Sequence, residues 1–151
     1  MKHHTLDELD VQILNILQKD GRKTVKEIAK MVCLSSPAVA ARIDRLEREQ
    51  YLLGYQAVVN PHAVGLHTKA FVCLEVEPRQ KSEFYPFIAQ FPNVVQCNCV
   101  TGEYSMMLEV YFKTTVELDH FIGELQHFGR TKTLIVFSTS LEHRGVQLQL
   151  D

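Results

Sequence analysis

The sequence predicts an α+β chain in two parts, a helical N-terminal head and a C-terminal αβ sandwich. Two observations carry this. As far as Arg48, apolar residues recur at helical spacing behind clear helix-start signals. From residue 67 onward, segments of period two and period 3.6 follow one another in the order β-α-β-β-α-β. At 151 residues and 46% hydrophobic composition, the chain can bury one or two small cores.

In the head, Asp7 caps a helix carrying Leu9, Ile13, Leu14, Ile16 and Leu17, closed by Asp20-Gly21. Thr24 and Glu27 form a capping box, followed by Val25, Ile28, Ala29 and Val32 on one face. Ser35 or Ser36 caps a third helix, and Pro37 fits its first turn, where no intrahelical donor is needed. Val39, Ile43 and Leu46 are its buried stripe, leaving Ala38, Ala41, Arg42 and Arg45 outward. Residues 51–59 read as two extended pieces turning at Gly54, a hairpin wing behind the third helix. Leu9, Ile13, Leu17, Ile28, Val39, Ile43 and Leu46 supply a local core.

A helix that opens on small residues and carries arginines suits a DNA major groove. The expected base-edge or adjacent phosphate contacts are Ser35, Ser36, Pro37, Ala38, Ala41, Arg42 and Arg45. Arg22, Lys23, Thr24 and Lys26 are expected on the backbone, with Tyr55 and Gln56 from the wing. The competing reading is a solvated helix whose arginines pair with Asp44, Glu47 and Glu49. Charge distribution favours DNA. The net charge is −2, yet residues 22–48 carry seven basic and three acidic residues, and residues 60–151 seven basic and ten acidic.

Residues 60–62 break the pattern, so the head spans residues 1–60, a connector 61–66, and the sandwich 67–151. Strands are predicted over 67–77, 94–101, 105–112 and 131–139, with Gly102-Glu103 as a hairpin turn. Helices are predicted over 82–91 and 116–128, and Val146, Leu148 and Leu150 alternate as an edge strand. This order gives a ferredoxin-like sandwich, two helices covering one face of an antiparallel sheet. Val95, Cys97 and Cys99 against Val94 and Val100 put apolar residues at both parities, so a second copy is expected to cover the other face.

Several chemistries lack a basis in the sequence. Cys97-x-Cys99 wants further ligands, for which Cys73 and His67 are the candidates, and no metal site is expected. His3-His4, and His120 with His127, make no convincing site. Cys33, Cys73, Cys97 and Cys99 are expected as buried thiols rather than disulfides. Ser138 and Ser140 lack a nucleophile elbow, no phosphate-binding glycine loop occurs, and no enzyme or cofactor is predicted. Phe84, Phe87 and Phe91 sit on the core side rather than on an RNA-stacking strand. Without a membrane-spanning run or an apolar leader in residues 1–10, the expected location is cytoplasmic.

The chain resembles the Lrp/AsnC (leucine-responsive/asparagine-responsive, feast-or-famine) transcriptional regulators. The resemblance covers nearly all of it, through Leu6-Asp7-x-x-Asp10-x-x-Ile13-Leu14, Asp20-Gly21-Arg22 and Leu34-Ser35-x-x-Ala38-Val39-x-x-Arg42-Ile43-x-x-Leu46-Glu47. It continues in Val100-Thr101-Gly102-Glu103-Tyr104 and Thr131-x-Thr133-x-Ile135-Val136. It implies a winged helix-turn-helix that binds double-stranded DNA, homodimers that often assemble into octamers, and an amino-acid effector held between dimers. Effector contacts are implied at Thr101, Gly102, Glu103, Tyr104 and Ser105, and at Thr131 and Thr133. This chain has Ser105 where the family usually carries Asp, which removes the natural partner of a ligand ammonium. The alternative is an amino-acid-sensing oligomer whose head contacts protein.

Overall fold

The computed structural model describes residues 5–150. The chain forms two compact units, Met1–Val58 together with Leu141–Asp151, and Val59–Ser140. No helix among the described residues is long and apolar enough to cross a membrane.

The head contains α1 (Glu8–Lys19), α2 (Val25–Met31) and α3 (Ser36–Arg48). Each starts at its expected cap: Asp7 accepts from the Asp10 amide, Thr24 from Glu27, and Ser35 from Ala38. In α1 and α2 the third helical residue reaches back to the cap amide, completing capping boxes. Ile13, Leu14, Leu17, Ile28, Ala29, Val32, Val39, Ile43 and Leu46 form the core, with Leu9 partly buried against it.

Two turns end these helices with non-glycine residues at positive φ. Past α2, Cys33 lies at φ 55 while the Leu34 amide returns to Ala29 O at 3.0 Å; past α3, Gln50 lies at φ 61 while the Tyr51 amide returns to Leu46 O at 2.9 Å. Left-handed backbone strains a side-chain-bearing residue, and Cys33 is exposed, so its side chain is not needed by the core. Cys33→Gly is therefore expected to stabilise the head by about 0.5–1 kcal/mol, measured by chemical denaturation.

Two expectations for this unit fail. Residues 51–59 form no hairpin wing; they run without strand pairing, with Leu53, Val58 and Val59 exposed. Tyr55 instead folds back. Its hydroxyl donates to Glu47 Oε1 at 2.9 Å, and its ring lies where a side chain on Gly21 would touch it at 3.4 Å. Nor do residues 146–150 form an edge strand of the sandwich. Asn15 Nδ2 donates to Leu148 O at 2.9 Å, its Oδ1 accepts from the Leu148 amide at 3.1 Å, and Gln18 Nε2 reaches Val146 O at 3.0 Å. One asparagine side chain thus satisfies both backbone groups of Leu148, a role the sequence pattern assigned to a neighbouring strand.

The second unit contains β1 (Thr68–Leu74), α4 (Lys81–Ile88), β2 (Val94–Cys99), β3 (Met106–Phe112), α5 (Thr115–Leu125) and β4 (Thr131–Ile135). Every pairing is antiparallel and the sheet order is β2-β3-β1-β4. Ala70, Val72, Leu74, Met106, Leu108 and Val110 face α4 and α5, which contribute Phe84, Ile88, Leu118, Phe121 and Leu125. Phe84, Phe87, Phe91, Phe112, Phe121 and Phe128 link across this core with ring centroids 4.9–5.4 Å apart.

A bulge explains the mixed parity of β2. Val94 opposes Val110 and Cys97 opposes Leu108, because the register shifts between Val94 and Gln96. Both therefore serve the core face, and Val95 is left exposed. β2 thus adds no second apolar face. The cysteines are all free, but only Cys73 and Cys97 are half-buried; Cys33 and Cys99 are exposed, contrary to the expectation of buried thiols.

Candidate nucleic-acid interface and effector loop

The exposed pole of α3 consists of Pro37, Ala41, Asp44, Glu47 and Arg48, with Ser35 exposed at its start and Ser36 and Ala38 half-covered beside it. Arg22, Thr24 and Lys26 are exposed, while Lys23 leans 3.6 Å from Asp20. Gln56 is exposed in the unpaired segment behind α3.

Arg42 and Arg45 depart from their expected outward position. Both turn toward α1. Arg42 Nη1 donates at 2.7 Å to Asp7 Oδ2 and at 2.7 Å to Asp10 Oδ1, and Arg45 Nη2 donates to Asp10 Oδ2. Asp10 is 0% exposed and the two arginine side chains only 24% and 26%. A carboxylate buried in a helical core has to be paired, and here two guanidiniums from the neighbouring helix do it. The pairing with Asp44, Glu47 or Glu49 weighed from the sequence does not occur for these two arginines among the described contacts. Asp10 is the residue that sequence reasoning passed over. The signal was present: it stands three, four and seven positions before Ile13, Leu14 and Leu17, an acid on the apolar stripe of α1.

Charge around this triad is set by geometry. Burial works to raise the Asp7 pKa, but the Asp10 amide and the Arg42 guanidinium outweigh it and hold the carboxyl below its ordinary range. Asp7 and then Asp10 push Arg42 up. A carboxyl whose folded pKa is depressed contributes stability near neutrality that fades as it is protonated. The head is therefore expected to lose stability as pH falls below about 4. Denaturation midpoints at neutral and acid pH measure this, and Asp7→Asn should narrow the difference. Tyr55, by burial first and then through its bond to Glu47, is pushed up to about 12, so its phenol stays protonated and keeps donating.

The second candidate site lies at one end of the sheet. Leu74 of β1 pairs with Met106 on one side and Thr131 on the other, which brings residues 101–105 and 130–133 together. Thr101, Gly102 and Glu103 are exposed, Tyr104 is half-buried, and Gly102 takes φ 118, a turn open to glycine. Thr131 and Thr133 are half-buried on the core-facing side. Arg130, not singled out from the sequence, organises this end. Its Nη2 donates to Glu103 Oε1 at 2.8 Å, its Nε lies 3.4 Å from Glu75 Oε2, and its guanidinium stands 5.4 Å from the Tyr104 ring centroid.

Ser105 is committed to the backbone. Its Oγ accepts from the Val76 amide at 2.8 Å and donates to Val76 O at 3.0 Å. The hydroxyl is therefore closed on the backbone just past β1, and Glu103 is the carboxylate of this loop. Burial and then Cys99 push the Cys97 thiol up from its ordinary value. His3 and His4 lie outside the described residues.

Both sites sit in matched families. Residues 6–47 match the AsnC-type helix-turn-helix domain and residues 69–146 the Lrp/AsnC ligand binding domain. The chain belongs to the Lrp/AsnC family. Among its relatives, the HTH-type transcriptional regulator FL11 of Pyrococcus furiosus is 33% identical over 91% of this chain and 93% of its own length. A transcriptional regulator of Neisseria meningitidis, solved as an L-Met complex, superposes with a TM-score of 0.86 at 28% identity, covering 93% of this chain and 94% of that one. A feast or famine regulatory protein of Mycobacterium tuberculosis, complexed with L-methionine, reaches 0.89 at 31% identity over 95% and 100%. The α+β architecture foreseen from the sequence, a helix-turn-helix head with an antiparallel αβ sandwich, is that of this family.

Proposed function

We propose that this Lrp/AsnC member is a sequence-specific DNA-binding transcriptional regulator. The carrying observation is the exposed pole of α3, small at Pro37 and Ala41 and charged at Asp44 and Arg48, flanked by exposed Arg22 and Lys26. Ala41 suits a thymine methyl, Asp44 can accept from a cytosine amine, and Arg48 can neutralise phosphate or read guanine. Ser35, Ser36, Ala38, Thr24, Lys23 and Gln56 complete the proposed contact surface. Arg42 and Arg45 act chiefly by fixing α3 on α1, with Tyr55 bracing Glu47. Such a role belongs with the chromosome, in the cytoplasm.

The protein is proposed to act as a homodimer or as a larger assembly such as an octamer. The sheet face away from α4 and α5 holds Phe71, Met107, Tyr111 and Leu134 around a Lys69–Glu109 pair at 2.8 Å. Burial tends to lower Lys69, but its bonds to Glu109 and Tyr111 prevail and raise it, so the ammonium stays charged. An amino-acid effector is proposed at Thr101, Gly102, Glu103, Tyr104, Thr131 and Thr133, with Glu103 rather than Ser105 meeting the ammonium. The solved relatives with methionine support this class of ligand. Effector binding would favour one assembly and so respace the reading heads.

Fluorescence anisotropy on its own upstream DNA, across a salt series and with each of the twenty amino acids, tests both halves. Affinity should fall steeply with salt, and Arg48→Ala should reduce the slope of log K against log salt by about 1 per head in contact. A head that contacts protein instead, a reading favoured by the internal neutralisation of Arg42 and Arg45, would give no salt-dependent DNA binding. If DNA binds but no amino acid alters the affinity, the effector half falls alone.

A further inference from the structure

Outside both candidate sites, the fold holds two imidazoles against each other. His62 begins a 3-10 turn, His62–Val64, and His67 stands one residue ahead of β1. The turn is fixed from several sides. Asn60 Oδ1 accepts from the amides of His62 at 3.0 Å and Ala63 at 3.4 Å, and Pro61 O accepts from Val64 at 3.2 Å and Leu66 at 2.9 Å. Gly65, at φ 84, lets the chain turn back and donates to His62 O at 3.1 Å. As a result His62 Nδ1 and His67 Nδ1 are 3.4 Å apart, with ring centroids 5.7 Å apart, and both residues are exposed.

That separation admits a hydrogen bond between the two ring nitrogens, but a long one. It matches another geometry. Two nitrogens each about 2.0–2.1 Å from a tetrahedral ion stand about 3.4 Å from one another. Imidazole nitrogen is also the donor that suits borderline transition ions.

We propose that His62 and His67 are a two-ligand site for a tetrahedral divalent transition ion such as Zn2+, bound through both Nδ1 atoms with solvent in the open positions. Among the described residues no group of three or more His, Cys, Asp or Glu converges on an ion, so this is an open, exchangeable site rather than a closed structural one. Occupancy ties the turn to the start of β1 and stiffens the opening of the sandwich. Each Nδ1 must carry a free lone pair to bind, so the ion competes with protons for the site.

The test uses the full chain carrying His3→Ala and His4→Ala, which removes a competing terminal pair. Co2+ is titrated slightly above neutral pH, with Zn2+ as competitor. The expected result is one ion per chain, the intense visible bands of tetrahedral Co2+, and no near-ultraviolet sulfur-to-metal band. His62→Ala and His67→Ala should each weaken binding by about tenfold or more while leaving circular dichroism unchanged. Zn2+ should raise the unfolding midpoint of the parent but of neither variant. Absence of binding, the pale spectrum of octahedral Co2+, a thiolate band, or binding that survives both substitutions would each overturn the proposal.

Discussion

Gly129→Ala is expected to disrupt the sandwich, at a cost of about 3–5 kcal/mol. Gly129 has φ 156, and a Cβ there would press into the Glu75 carbonyl oxygen, well inside van der Waals contact, and lie 3.0 Å from its carbon. Flexible side chains can yield to such a clash, whereas this obstacle is main chain. It is also main chain in use, because the Glu75 amide donates to Arg130 O at 3.0 Å and so joins the end of β1 to the start of β4. Moving Glu75 aside would pull on the strand end that sets Thr131 opposite Leu74 and holds Arg130 over Tyr104. Thermal and urea denaturation of the variant measure the loss. Gly123→Ala is the matched control of opposite sign. Gly123 lies within α5 with nothing near an added Cβ, so helix propensity should stabilise by up to about 1 kcal/mol. If both variants behave like the parent, the close approach at Gly129 is not real.

Asp10→Ala is expected to cost the head about 2–4 kcal/mol. Breaking a buried ion pair by removing one partner costs about 3–5 kcal/mol, because the other charge is stranded. Here the stranded groups are arginines that keep about a quarter of their surface in water, and Arg42 retains Asp7, which lowers the figure. The substitution also removes half of the capping box, since Asp10 Oδ2 accepts from the Asp7 amide at 3.1 Å. DNA affinity should fall with it, although Asp10 is fully buried and touches no ligand. Arg45→Ala should lose less stability than Asp10→Ala, because the carboxylate would keep Arg42. A stability order in which Arg45→Ala is the worse variant would show that Arg45, and not the buried acid, is the group the head depends on.

How far the sequence could be read depended on where each pattern finds its partner. Local signals were sufficient for the helices of the head: Asp7, Thr24 and Ser35 cap them as their side-chain chemistry requires. The succession of strands and helices in the sandwich followed from their periods, and the core residues from the faces those periods define. What failed needed distant partners. Residues 51–59 alternate like a hairpin, but Tyr55 finds Glu47 and Gly21 first. Val146, Leu148 and Leu150 alternate like a strand, but the backbone of Leu148 is met by Asn15. In β2, one extra residue at the bulge reversed the apparent facing of Val94. At the candidate DNA face, Arg42 and Arg45 read as free cations because helical angle alone does not reveal a buried acid on another element. At the effector loop, the motif residues were legible, whereas Arg130 and the closure of Ser105 on Val76 depend on side-chain direction.

The clasp between Asn15 and Leu148 has a bearing on synthesis. The helices of the head leave the ribosome before the sandwich, yet the segment that seals them follows only after it, since Leu141–Asp151 belongs to the same unit as Met1–Val58. A nascent chain arrested after β4 would therefore hold a reading head that is folded in outline but unlatched, with Asn15 still waiting for the backbone it will grip.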